Sequence, residues 1–150
     1  MHKIELENLA NRLEMLPTLA KWHASQWKNA GPDREAFFLN RVGHDIPCVL
    51  VATEATQPVG FVSLIKTNHP SKPELTPWLS SLFVLPELRN EGIGKFLVNA
   101  CIEKARAHGH SKLFLMTADK AAYYERLGWQ RHEIVQRGGK QLTVMTLQIP

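Results

Sequence analysis

A glycine-containing loop between an apolar strand and an amphipathic helix is the feature that most constrains this chain. Residues 78–85 have the pattern of a strand, residues 86–91 that of a loop, and an apolar stripe at helical spacing begins at Ile93. Residues 113–116 are then almost wholly apolar, as in a strand covered on both faces. A strand, a crossover helix and a second strand predict a parallel pair within a mixed α/β fold.

The start of this helix has the properties of an anion site. Gly92 and Gly94 permit unusual backbone angles and close approach of a ligand, and the first helical turn has amide groups without internal partners. A diphosphate there would accept main-chain hydrogen bonds and gain about 0.3–1 kcal/mol from each favourable contribution of the helix end. Arg89 and Lys95 could add positive charge. A tight strand–helix turn that binds nothing is the alternative explanation of the glycines.

Two other glycine-rich motifs are excluded by single residues. The dinucleotide-binding fingerprint requires a third glycine or an alanine where Leu97 stands. The lysine of a phosphate-binding P-loop is followed by serine or threonine, whereas Lys95 is followed by Phe96.

The N-terminal third predicts a short strand at residues 4–6 and two helices. Pro17 suits the first turn of the first helix, and Gly31-Pro32 would stop it. Asp33 can cap a second helix that carries apolar residues as far as Val42.

The remaining segments predict two hairpins and one more helix. Residues 48–53 and 59–66 read as antiparallel strands joined by a turn at residues 56–60, and the three prolines of residues 68–77 indicate an exposed loop. A short helix is expected at residues 121–127, and Gly138-Gly139 suits a tight hairpin near the C-terminus.

Composition limits the classes of protein that the chain can represent. The formal charge of +4 would suit a polyanion, but the basic residues are spread along the chain, which makes nucleic-acid binding a weak interpretation. The two cysteines lie far apart and the histidines lack ligand spacing, so neither a disulfide framework nor a metal site is expected. With no membrane-length apolar run and no signal pattern, we expect a single cytoplasmic domain over residues 1–150.

Two segments together resemble the GNAT superfamily of acyl-CoA-dependent N-acyltransferases. Residues 89–94 form an Arg-x-x-Gly-x-Gly pattern between a strand and a long helix, and residues 123–129 read YYERLGW, similar to the aromatic-Tyr-Glu-x-x-Gly-aromatic segment of many members. The two segments have the family's order and separation, and the resemblance extends from about Cys48 to the C-terminus. It implies a mixed sheet of six or seven strands, splayed between the fourth and fifth, with about four helices.

The resemblance also implies a site for acetyl-CoA. The strand would bind the pantetheine arm, the loop would bind the pyrophosphate, and the phenol of Tyr124 would protonate the departing thiolate. Without the resemblance, Tyr124 reads as a core aromatic whose hydroxyl has a partner. The implied cofactor-binding residues are Leu82, Phe83, Val84, Arg89, Asn90, Glu91, Gly92, Ile93, Gly94 and Lys95.

The general base and the acceptor stay open. The strand at residues 78–83 lacks the carboxylate that many members have there, so Ser80 or Ser81 could hold a relaying water, with the loop residues His69, Glu74 and Asp119 as further candidates. A covalent route through Cys101 is disfavoured by its place in the apolar stripe.

The expected activity is direct transfer of an acetyl group to a small-molecule or peptide amine by a monomer or homodimer. No nucleic acid or membrane partner is expected. An acyl-CoA-binding domain without turnover is the alternative function. Aromatic residues of the N-terminal helices, namely Trp22, Trp27, Phe37 and Phe38, either line an acceptor pocket or simply pack on the sheet.

Overall fold

The computed structural model describes residues 3–28 and 33–150. Within them, seven strands and four α-helices follow one another along the chain. The strands are β1 (Ile4–Asn8), β2 (Cys48–Glu54), β3 (Gln57–Ile65), β4 (Trp78–Val84), β5 (Lys112–Thr117), β6 (Gln130–Arg137) and β7 (Lys140–Gln148). The helices are α1 (Leu16–Gln26), α2 (Arg34–Leu39), α3 (Ile93–Ala107) and α4 (Ala121–Arg126).

One mixed sheet contains all seven strands in the order β1-β2-β3-β4-β5-β7-β6. Every neighbouring pair is antiparallel except β4 and β5, which are parallel, as the crossover predicted. These two strands pair at a single position, Trp78 with Phe114, because they diverge toward their carboxyl ends. The predicted splay between the fourth and fifth strands is thus confirmed, and it opens the sheet beside the start of α3.

The β2–β3 hairpin has a tighter turn than the sequence predicted, and the turn begins at residue 55 instead of residue 56. Ala55 and Thr56 have positive φ angles and form the turn, whereas Gly60 lies inside β3. A Cβ atom on Gly60 would lie 2.7 Å from the main-chain oxygen of Phe83, so glycine is needed there for the close approach of β3 and β4. The expected hairpin at Gly138-Gly139 is confirmed, since both residues have positive φ.

The second helix is shorter than the apolar pattern suggested. Asp33 caps it as predicted by accepting the Ala36 amide, but the helix ends at Leu39 and Val42 lies beyond it. A six-residue helix is stabilised mainly by packing, and that packing comes from Phe38, which is fully buried. The predicted stop at Gly31-Pro32 lies outside the described residues.

The sheet separates two apolar layers. On one face α3 buries Leu97 and Cys101 against β2, β3 and β5. On the other face α1 and α2 cover Phe61 and Phe83 of β3 and β4. Both helical layers therefore meet β4 near its carboxyl end, which is where the sheet splays.

No helix of the described chain has both the length and the apolar character needed to cross a membrane.

Candidate functional site

A cleft of about 570 Å³ lies at the splay of the sheet. The end of β4, the following loop, the first turn of α3 and the helix α4 form its walls. Its lining residues are Gln26, Leu82, Phe83, Val84, Arg89, Asn90, Gly92, Gly94, Lys95, Lys120, Tyr123, Tyr124 and Leu127.

The first turn of α3 offers free amide groups to this cleft. Gly92 precedes the helix with φ of +88°, and no side chain caps this end. The first helical hydrogen bond runs from the Phe96 amide to the Gly92 oxygen at 3.0 Å. The amides of Gly94 and Lys95 therefore have no main-chain acceptor in the described chain. The helices α1 and α4 also begin without a side-chain cap, and only α2 has one, the carboxylate of Asp33. The start of α3 is a candidate anion site because it lines the cleft beside Lys95 and Lys120.

The cleft carries positive charge without acidic partners. The ammonium groups of Lys95 and Lys120 make no hydrogen bond or ion pair with any described residue. Arg89 is turned back toward the sheet, where its Nε donates to the Val84 oxygen at 2.9 Å and its guanidinium lies 5.7 Å from the Phe83 ring centroid. Free amides beside free cations form a suitable environment for a multiply charged anion.

Tyr124 is held at the opposite wall by aromatic neighbours. Its ring lies edge-on to Tyr123 at 5.1 Å and to Trp129 at 5.9 Å, and only 7% of the residue is exposed. Burial, with smaller contributions from Tyr123 and Cys101, raises the pKa of its phenol well above the ordinary value. Its hydroxyl forms no hydrogen bond with a described residue, so it is a protonated donor at the wall of the cleft.

Most of the sequence-predicted cofactor residues line this one cleft. Two do not: the side chain of Ile93 is 3% exposed and packs in the core, while Glu91 is exposed and lies outside the lining. Ile93 could face a ligand only through its main chain.

Four lining residues were not predicted from the sequence. Tyr123 adjoins the predicted Tyr124, and its hydroxyl would lie 3.3 Å from a Cβ atom on Gly94, so it closes over the start of α3. Lys120 and Leu127 flank α4, the helix that carries Tyr124, so their nearness to Tyr124 in the sequence could have indicated that they line the same cleft. Gln26, at the end of α1, carries no local signal and reaches the cleft by tertiary packing alone.

The candidates for a general base do not line the cleft. His69 contacts Glu133 at 3.0 Å and accepts the amide of Ser71 at 3.0 Å, which anchors the loop before β4 on β6. Glu74 and Asp119 are exposed on loops. Ser80 and Ser81 directly precede the lining residue Leu82 in β4 but do not line the cleft themselves, and their hydroxyl oxygens are 3.4 Å apart.

The N-terminal aromatic residues chiefly pack on the sheet. Trp22 stacks on Phe83 at 5.4 Å, and Phe38 lies edge-on to Phe61 at 5.2 Å. Trp22, Trp27 and Phe37 remain partly exposed beside the end of β4.

The cysteines have the environment of core residues. Both are buried, and burial raises the pKa of Cys48 to about 11 and that of Cys101 well above its ordinary value. Such thiols are poor nucleophiles at neutral pH. Among the described residues, no cluster of three or more potential metal ligands occurs.

A second groove, of about 600 Å³, lies between β1, β2 and α3. Leu6, Leu50 and Phe96 contribute a mainly apolar surface, and the polar or charged residues Glu7, Asn8, Asn99, Glu103 and Lys104 also line it. It offers neither free amides nor a proton donor comparable with Tyr124.

These features define a class: a mixed α/β protein whose cleft, lined by free amides and cations, lies where two parallel strands splay. The chain belongs to the acetyltransferase (GNAT) family, whose sequence profile matches residues 13–129.

Relatives and a solved structure agree with this family. The chain is 32% identical over 88 residues to human N-acetyltransferase 8, and 34% identical over 86 residues to an uncharacterized N-acetyltransferase of Methanocaldococcus jannaschii. These matches cover 56% and 53% of the chain, and 39% and 38% of the two relatives. The chain therefore matches about two-fifths of each relative's length.

The fold is also similar to the crystal structure of an aminoglycoside 6'-N-acetyltransferase complexed with coenzyme A. The TM-score is 0.78 at 18% identity, and the alignment covers 97% of each chain.

Proposed function

We propose that this chain is a single-domain acetyltransferase that transfers an acetyl group from acetyl-CoA to a primary amine. The observation that carries the proposal is the uncapped start of α3, whose free amides face a cleft with two cations that lack acidic partners. The coenzyme A bound to the similar aminoglycoside acetyltransferase supports the choice of ligand.

The donor would lie along the cleft from the start of α3 to β4. Its pyrophosphate would accept hydrogen bonds from the amides of Gly92, Gly94 and Lys95, with the ammonium groups of Lys95 and Lys120 nearby. Leu82 and Phe83 would contact the pantetheine arm, because both line the cleft on the adjoining strand. Bound there, acetyl-CoA supplies the activated thioester carbon that the amine attacks.

Main-chain amides of β4 could polarise the thioester carbonyl. Ser81 and Leu82 both lie opposite a single β3 residue, because the β3–β4 register shifts between Phe61 and Ser63. Ser81 has a φ of +57°, so the strand is bulged where it enters the cleft. A bulge disrupts the ladder locally, so a main-chain amide at this point would be available to a developing oxyanion.

Tyr124 is proposed to act on the leaving sulfur. Its raised pKa keeps the phenol protonated throughout the neutral range, so it donates a hydrogen bond to the developing thiolate. A free thiol, with a pKa of about 8.5, is a stronger acid than this phenol. Full transfer of the phenol proton to a free thiolate is therefore unfavourable. The positive charge that the attacking amine acquires nearby would reduce that difference and help the proton move to sulfur.

The amine would enter as the neutral base and lose a proton to solvent after attack. Tyr124 would regain from solvent the proton that it gives to sulfur, so that no net proton is lost from the enzyme. The lining of the cleft includes no carboxylate and no histidine, so we propose no side-chain base. The hydroxyls of Ser80 and Ser81 could hold the first water of a relay.

Calorimetry tests the cofactor site directly. Acetyl-CoA and coenzyme A should both bind to the folded protein, and Lys95→Gln combined with Lys120→Gln should weaken both. Lys66→Gln, which removes one positive charge at an exposed position outside the cleft, serves as the matched control. Absence of binding to the folded protein would refute the proposed function.

Tyr124→Phe tests the role of the phenol. Turnover should fall about 100-fold or more, as for loss of a general acid, with the dissociation constant of acetyl-CoA nearly unchanged. Tyr123→Phe, which removes a hydroxyl from the neighbouring ring, is the comparison and should have a smaller effect on turnover. Thiol release across an amine panel is the assay. Equal turnover in Tyr124→Phe and the parent would remove Tyr124 from the mechanism.

A binding domain without turnover is the second candidate, favoured by one observation: β4 has no carboxylate. Acetyl-CoA binding without thiol release to any amine would support it.

A further inference from the structure

Arg41 lies between α2 and β4, and its surroundings differ from those of the arginines that form ion pairs. Its amide bonds the Phe38 oxygen at 2.9 Å, which continues the turn after α2. Its guanidinium lies 3.9 Å from the centroid of the Phe37 ring, and its Nη1 donates to the Ser80 hydroxyl at 3.2 Å. These contacts direct the guanidinium at the middle of β4.

The Arg41 guanidinium has no carboxylate partner among the described residues. Arg12, Arg106 and Arg131, by contrast, each form an ion pair with a glutamate. Burial, the sole cause, lowers the pKa of Arg41 to about 10. A partly buried cation without a counter-ion is unfavourable, and an anionic ligand would relieve that cost.

A second guanidinium, that of Arg34, acts on the same buried region as that of Arg41. The charges of Arg34 and Arg41 both contribute to the lowered pKa of His23, after burial, so the two guanidinium groups act on one buried point. A second cation brought into this region would be repelled, whereas a carboxylate or phosphate would be attracted.

Arg41 lies just beyond the proposed position of the acetyl group. Ser80, its hydrogen-bond partner, is two residues before Leu82, which lines the cofactor cleft. Two residues of strand span about 6–7 Å. The pyrophosphate site follows the carboxyl end of β4, so an arm running back along β4 ends toward Ser80.

We propose that Arg41 binds an anionic group of the acceptor, so that the acceptor is a primary amine bearing a carboxylate or a phosphate a few bonds away. This rests on the proposed acetyltransferase function. It narrows the acceptors to anionic amines and excludes polyamines, which would place extra positive charge beside Arg41.

Four small amines test the proposal in the thiol-release assay with saturating acetyl-CoA. β-Alanine carries a carboxylate and O-phosphoethanolamine carries a phosphate. In β-alaninamide an uncharged amide replaces the carboxylate of β-alanine, and spermidine is a polycation. We expect kcat/KM for one of the two anionic amines to exceed that for β-alaninamide by about 10- to 100-fold, as for a hydrogen-bonded charge pair. The preferred anionic amine distinguishes carboxylate from phosphate recognition.

Arg41→Gln should reduce this preference to about threefold or less by raising KM for the anionic amine alone, and Arg41→Lys should restore part of it. Arg106→Gln, which removes an exposed arginine from the end of α3, is the control and should keep the full preference. A preference for β-alaninamide or spermidine in the parent protein would overturn the proposal. An equal loss for all amines in Arg41→Gln would also overturn it.

A second readout separates this proposal from the proposed function. Thermal unfolding with each amine, without acetyl-CoA, should show a rise in Tm from the anionic amine that Arg41→Gln abolishes. Such a rise in a protein that does not bind acetyl-CoA would support the anion site and refute the acetyltransferase function. Absence of any Arg41-dependent response, in both assays, would overturn the anion site even if acetyl-CoA binds.

Discussion

The stability of this fold should depend on pH through one buried histidine. His23 is 1% exposed, its Nδ1 has no hydrogen-bond partner among the described residues, and its ring lies 4.2 Å from that of Phe37 and 4.7 Å from that of Trp27. Burial first, and then the charges of Arg34 and Arg41, lower its pKa from 6.5 to about 4.

The sign follows from where the proton binds. Between the two pKa values the unfolded chain takes up a proton on His23 that the folded chain does not, so acid favours unfolding. This contribution to stability is complete above about pH 6.5 and is lost as the pH falls toward 4. The whole effect is on the order of 3 kcal/mol, and about 2 kcal/mol of it should be lost between about pH 7.5 and pH 5.

Urea denaturation at several pH values measures this loss. The free energy of unfolding of His23→Gln should fall less steeply below about pH 6.5 than that of the parent, whatever the packing cost of the substitution at neutral pH. His44→Gln, at an exposed histidine, should retain the slope of the parent. If the parent and His23→Gln lose stability in parallel over this range, then His23 is not the group that binds the proton, and the reasoning is refuted.

Two further predictions concern the core. Leu97→Ala should lower the free energy of unfolding by about 2–5 kcal/mol, because the Leu97 side chain is fully buried between α3 and the sheet. A loss below about 1 kcal/mol in chemical denaturation would contradict that place in the core. Cys48 and Cys101 should not react with a thiol reagent at about pH 8 in the folded protein, since burial raises the pKa of both thiols, and both should react once denaturant is added. Rapid modification of either thiol in the native protein would show that it is accessible.

The fold was largely predictable because its signals are local. The apolar stripe beginning at Ile93 and the short apolar run at residues 113–116 indicated a crossover, and β4 and β5 are indeed parallel. Errors occurred where packing outweighed local pattern. The β2–β3 turn is formed by Ala55 and Thr56, while Gly60 lies inside β3 at its close contact with β4. The helix α2 ends at Leu39 although the apolar pattern continues to Val42.

The candidate site was predictable only in part. The loop before α3 and Tyr124 could be singled out because each belongs to a contiguous motif with its own spacing. Nothing in the sequence indicated that Gln26 would reach the same cleft, or that Arg41 would donate to Ser80. Those pairs are separated by dozens of residues, so only tertiary packing brings them together.

The sequence by itself determined the order of the elements and the glycine-bearing turn at Gly92, since hydrophobic spacing and backbone freedom act over a few residues. Only the tertiary structure decided which charges lack partners. Whether Arg41 or Lys120 has a counter-ion depends on which residues the fold brings near it. Electrostatic and packing interactions between residues far apart in the sequence are set by the folded arrangement and not by the residues adjacent in the chain.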